Sequence, residues 1–137
     1  MEQENKLKIG PLGEDIASEY LENKGFSVVQ CNYRKKCGEI DIICEKRGVL
    51  HFVEVKSVSC EISNKVSADV SRETDSFRPE DNIHPAKLKR IFRTIQIFLA
   101  EKYTNNNPEW QVDAVTVKLD VGSRQAKVKF IENIVVN

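Results

Sequence analysis

The chain has 137 residues, 40% of them hydrophobic and 31% charged, which argues for one small globular domain spanning 1–137 and against a disordered polar chain. Lys plus Arg and Asp plus Glu both total 21, which excludes a protein that coats nucleic acid by bulk charge alone. No segment approaches the ~18 apolar residues of a membrane span; the polar first ten residues carry no signal-peptide core, so a cytoplasmic location without a membrane partner is expected.

Leu12 to Asn23 reads as a helix, with Leu12, Ile16, Ala17, Tyr20 and Leu21 on one broad apolar face and Gly25 at its C-terminal stop. Glu14 falls at the margin of that face, aimed toward the domain rather than straight into water. Phe26 to Arg34 reads as a first strand. Glu39 to Glu45 and Val49 to Ser57 read as two more, joined by a tight turn at Arg47-Gly48. Residues 58–83 hold few large apolar side chains and are expected to form a mobile loop. Pro85 to Tyr103 has clear helical periodicity through Leu88, Ile91, Phe92, Ile95, Phe98 and Leu99, with Lys87, Arg90 and Thr94 sharing a polar face. Trp110 to Leu119 and Gln125 to Ile134 read as closing strands. The order α-β-β-β-α-β-β, with a crossover that makes the third and fourth strands parallel, predicts an α/β domain: a mixed sheet of about five strands flanked by helices. The four cysteines, Cys31, Cys37, Cys44 and Cys60, form no C-x-x-C pair and read as reduced thiols.

The chemistry concentrates in Gly38-Glu39-Ile40-Asp41-Ile42-Ile43 and Val53-Glu54-Val55-Lys56. Alternation puts Glu54 and Lys56 on one face of their strand. If Lys46 pairs with Val49 across a two-residue turn, Asp41 comes opposite Glu54, and Glu39 opposite Lys56; a three-residue turn would break the arrangement. Two carboxylates facing each other repel unless the Lys56 ammonium or a divalent cation relieves them. Mg²⁺ is held in this way by one or two carboxylates, with waters and a substrate phosphate completing its shell. Glu14 would reach the metal or its waters from the first helix.

Gly10-x-x-Gly13-Glu14-x-x-Ala17, Asn32-x-Arg34, Gly38-Glu39-Ile40-Asp41-Ile42-Ile43 and Phe52-Val53-Glu54-Val55-Lys56 together resemble the YraN-type family of small bacterial proteins. That family is similar to Holliday junction resolvase-like members of the PD-(D/E)XK, or restriction-endonuclease-like, nuclease superfamily. The resemblance implies a restriction-endonuclease-like core and a metal-dependent endonuclease acting on DNA, branched or junction DNA included. Asp41 and Glu54 match the metal-binding carboxylates, Lys56 the catalytic lysine and Glu14 the first-helix glutamate, with Mg²⁺ or Mn²⁺ as the implied cofactor. Ile40 stands where the superfamily's name has proline, and Val58 where the family usually carries a basic residue.

Arg34, Lys35 and Lys36 ahead of the acidic motif, and Lys87, Arg90 and Arg93 on the second helix, are candidates for phosphate contacts. Cutting two symmetric strands of a junction would favour a homodimer. Gln96 is a weaker candidate on the second helix. Trp110 is expected in the core, His51 is expected to point away from the carboxylates, and Asp113 reads as a buried ion-pair partner or a structural acceptor. Two rival functions keep the same fold: a non-catalytic nucleic-acid-binding module, and a protein-interaction subunit working through the 58–83 loop.

Overall fold

The computed structural model describes residues 9–60, 85–120 and 122–134. Seven elements follow in the expected order: α1 (Ile9–Asn23), β1 (Ser27–Lys35), β2 (Gly38–Lys46), β3 (Val49–Cys60), α2 (Pro85–Lys102), β4 (Glu109–Asp120) and β5 (Gln125–Ile131). The strands form one sheet in sequence order, antiparallel throughout except for the parallel β3–β4 pair. This is the architecture of an α/β restriction-endonuclease-like core.

The sheet is apolar on both faces because a helix covers each. Alternate residues of one strand therefore enter different clusters: Ile43, Leu50, Phe52 and Val112 pack with Ile91, Ile95, Phe98 and Leu99 of α2. Ile42, Cys44, Val53, Val115 and Val117 pack with Ala17 and Leu21 of α1. Trp110 sits partly buried against the α2 cluster, with its ring edge-on to Phe52 at 5.8 Å. Among the described residues no helix is long and apolar enough to cross a membrane. Cys31, Cys37 and Cys44 are free thiols, as expected.

Three expectations are corrected. Val58, Ser59 and Cys60, assigned to the loop, continue β3, since the parallel ladder with β4 runs without interruption to Cys60–Asp120. The rest of that segment, 61–83, lies outside the described residues. β5 ends at Ile131, because Asn133 takes a positive φ of 54° and turns the chain so that the Ile134 amide donates to the Val112 carbonyl. Thr94 does not share the polar face of Lys87 and Arg90: it is fully buried, donates to the Arg90 carbonyl at 2.8 Å and meets the Cys37 thiol at 3.5 Å.

Candidate active site

The β2–β3 hairpin turns at Arg47 and Gly48, with φ of 54° and 79°, the pair of positive values a two-residue turn of this kind requires. Lys46 pairs with Val49, and the ladder proceeds in the anticipated register to Ile42–Val53. There it stops. Asp41–Glu54 and Glu39–Lys56, the next partners in that register, are not joined by backbone pairing; Glu39 instead accepts from Arg34 Nε at 2.8 Å.

The alternation of β2 breaks at the same point. Ile40 packs in the α2 cluster and Ile42 in the α1 cluster, although residues two apart on a regular strand share a face. On β1, the residue facing this break, Asn32, has a φ of 54°. Asp41, between the two isoleucines, turns its carboxylate toward β3, where Oδ2 accepts the Val55 amide at 2.8 Å. A side chain thus takes the hydrogen bond that the backbone of β2 gives up as the strands part.

Glu54 lies on the α2 face of β3 and is 13% exposed. Its Oε2 accepts from Lys87 Nζ at 2.8 Å, so Lys87, a candidate phosphate contact, is engaged with the carboxylate instead. Lys56 follows two residues on, exposed, and makes no ion pair with any described residue. Glu14 reaches the same region from α1. Gly13 makes that approach possible: a Cβ there would lie 1.7 Å from Ser57 Oγ and 2.8 Å from Ser57 Cβ, so only glycine lets the helix come this close to β3.

The electrostatics are those of a carboxylate pair short of positive charge. Burial raises the Asp41 carboxyl well above the usual carboxylate range, and the charges of Glu54, Glu14 and Glu39 add to this; the Val55 amide opposes it. Burial also raises Glu54, against the hydrogen bond and charge of Lys87. Among the described residues no three His, Cys, Asp or Glu side chains converge to enclose a metal ion, so Glu14, Asp41 and Glu54 do not close into one ligand set. Two hard-oxygen carboxylates remain, Glu54 paired with Lys87 and Asp41 with no cation of its own among the described residues. That fits an ion which takes one or two carboxylates and fills its other positions with water and phosphate oxygens.

The remaining basic candidates lie along α2 and the β1–β2 turn. That turn is held to α2 by Tyr33 Oη donating to Glu101 at 2.7 Å and by Lys35 pairing with Glu101 at 2.9 Å. Gly38 lies close against Arg90, where a Cβ would sit 3.3 Å from the Arg90 Cβ. Arg34, Lys35, Lys36, Arg90 and Arg93 are all exposed, Arg34 and Lys35 already within ion pairs. Gln96 points to solvent.

His51 faces away from the carboxylates, as expected. The structure adds what spacing did not show: His51 Nδ1 bonds Asp113 Oδ2 at 2.5 Å, a contact across 62 positions. Asp113 is fully buried and also accepts from Gln111 Nε2 and the Asn133 amide, both at 2.8 Å. It is therefore a structural acceptor, and an ion-pair partner only when His51 carries a proton on both ring nitrogens.

Residues 13–117 match the model of a family described as uncharacterised protein family UPF0102. A UPF0102 protein from Helicobacter pylori is 37% identical over 125 residues, covering 91% of this chain and 89% of its own. One from Wolinella succinogenes is 37% identical over 125 residues, covering 91% and 94%, and one from Campylobacter lari is 35% identical over 125, covering 91% of each.

Proposed function

The chain belongs to UPF0102, the YraN-type family its motifs resemble, and we propose that it is a cytoplasmic, metal-dependent endonuclease that hydrolyses phosphodiester bonds in DNA, branched or junction DNA being the substrates to test first. One observation carries this reading: where β2 and β3 separate, the buried Asp41 carboxyl, crowded by acids, lies close enough to the half-buried Glu54 to feel its charge, with Lys56 on the same face as Glu54.

Asp41 and Glu54 would hold Mg²⁺ or Mn²⁺, and the bound ion would supply charge stabilisation at the scissile phosphate and lower the proton affinity of a water. Lys56, on the same face of β3 as Glu54, would supply an ammonium suited to positioning that water or neutralising charge on phosphate oxygens. Glu14 contributes a further carboxylate at the edge, suited to accepting hydrogen bonds from water rather than to direct coordination. Arg90, Arg93 and Lys36 offer exposed cations for the phosphate backbone on the α2 side. Both strands of a symmetric junction would require two such sites and hence a homodimer.

The deciding experiment titrates Mn²⁺ into wild type and Asp41→Asn, then incubates each with branched, linear and single-stranded DNA. Metal binding and cleavage in wild type, with both lost in the variant and cleavage falling by at least ~100-fold, would support the reading. Cleavage that survives Asp41→Asn, or no metal binding by wild type, would overturn it. DNA binding without cleavage would favour the non-catalytic binding module, a reading the Lys87–Glu54 ion pair also suits, since it neutralises a carboxylate without a metal.

A further inference from the structure

A second polar site lies on the other face of the sheet, at the opposite end of β3. A cavity of about 510 Å³ opens between the C-terminus of α1, the β2–β3 turn and the ends of β4 and β5. Its size is in the range of small-molecule clefts. Its walls are aromatic: Tyr20, Phe26 and Phe130 line it, with Phe26 edge-on to Phe130 at 5.7 Å and to the His51 ring at 4.9 Å. Three cations stand around it, Lys24, Lys46 and Arg47, against one acid, Glu132.

Two of those cations are held in place. Lys24 Nζ sits 5.4 Å over the Tyr20 ring, and Lys46 Nζ sits 4.9 Å over the Phe26 ring and donates to the Lys24 carbonyl at 2.8 Å, leaving further N–H donors; Arg47 stands exposed at the β2–β3 turn. His51 lines the cavity with Nδ1 engaged by Asp113, so Nε2 is the ring nitrogen with no bond to a described residue. Gln111 gives its amide hydrogens to Asp113 and Glu132 and keeps its carbonyl oxygen available. Lys24 and Lys46 lie over the faces of Tyr20 and Phe26, so the half-buried Phe130 ring is the one left beside the ammonium and guanidinium groups, a pairing that selects a ligand with a ring at one end and a multiply charged anion at the other.

We infer that this cavity binds a nucleoside monophosphate, with Lys24, Lys46 and Arg47 taking the phosphate, the half-buried Phe130 ring taking the base, and His51 Nε2 and Gln111 Oε1 meeting its polar edge. The site shares no residue with the carboxylate pair and lies on the face opposite Glu54 and Lys56. It stands independently of the endonuclease reading.

Calorimetric titration of the full chain with uridine monophosphate, uridine and inorganic phosphate tests it. The monophosphate is expected to bind at least about tenfold more tightly than either fragment. Lys46→Gln/Arg47→Gln should weaken it about tenfold. Arg47→Gln alone, at an exposed turn residue, should weaken it with the melting temperature unchanged, which separates lost binding from lost folding. Asp41→Asn should bind as wild type does. No heat with the monophosphate, inorganic phosphate binding equally well, an unaltered affinity in Arg47→Gln, or a matching loss in Asp41→Asn would each overturn the proposal.

Discussion

Two buried acidic residues flank β3, Asp113 of β4 beside Val53 and Asp41 of β2 at Val55, and the fold treats them in opposite ways. On the side nearer the hairpin, Asp113 is fully buried yet accepts from His51, Gln111 and the Asn133 amide, so its charge is answered from within the protein. On the other side, Asp41 accepts one backbone amide while Glu54, Glu14 and Glu39 press their charge on it, and its carboxyl is held toward the protonated form. A buried acid whose partners are all supplied by the fold holds the structure together. One that the fold crowds with other acids is left for a cation to neutralise. The contrast, rather than burial or charge alone, is what makes the Asp41–Glu54 side the candidate site.

The largest effect is expected on the satisfied side. Asp113→Ala leaves His51, Gln111 and the Asn133 amide without their acceptor and should cost about 3 kcal/mol, seen as a fall of roughly 10 °C in melting temperature. A fall of no more than a degree or two would mean that the network contributes nothing and that the two sides do not differ.

Next comes the helix approach. Gly13→Ala places a Cβ on Ser57 and should destabilise by about 2 kcal/mol. In a Ser57→Gly background the same substitution should cost much less, as a melting series would show. Equal losses in both backgrounds would remove close packing as the reason for glycine.

On the crowded side the sign reverses. Because the native Asp41 carboxyl is raised, the folded protein keeps a proton that the unfolded chain has already released; stability is fullest below the unfolded value near ~3.9 and declines as pH rises through the native one. Asp41→Asn retains an oxygen acceptor for the Val55 amide but no charge. It should therefore stabilise the metal-free protein by ~1 kcal/mol at pH ~8 and leave it unchanged at pH ~4. Urea midpoints across pH measure this, and a destabilised variant at high pH would contradict the account. Added Mg²⁺ should stabilise wild type more as pH rises and leave the variant unaffected.

The smallest effect belongs to Lys87. Its ammonium occupies Glu54 in the absence of a metal, so Lys87→Met should tighten Mn²⁺ binding about three- to tenfold while slightly destabilising the metal-free protein. Titration of both forms would show it; a weaker affinity would make Lys87 an ally of the metal rather than its competitor.

The elements, their order, the parallel pair and the β2–β3 register were all legible in the sequence. Helical spacing from Leu12 to Leu21, strand alternation, and the Arg47-Gly48 turn act over a few neighbours and carry their own signature. Asp41 and Glu54 could be set on facing stretches for the same reason, since the turn sets the register as far as Ile42–Val53; Glu14, on α1, is not placed by it. The helix-side residues were read less well. Thr94 falls on the polar stripe by spacing, but Gly38 lets β2 come close enough to bury it; a glycine beginning an otherwise β-branched strand was the available signal.

The sequence by itself therefore determined the layered α/β core and the register that sets the two acidic motifs on adjacent strands, because both follow from periodicity and one tight turn. Only the tertiary structure decided where the β2–β3 ladder ends, that Asp41 turns aside to the Val55 amide, that Lys87 lands on Glu54, and that His51 finds Asp113. Those contacts join residues 14 to 62 positions apart. They depend on how a twisted sheet splays and how each helix seats against it, which no local pattern encodes.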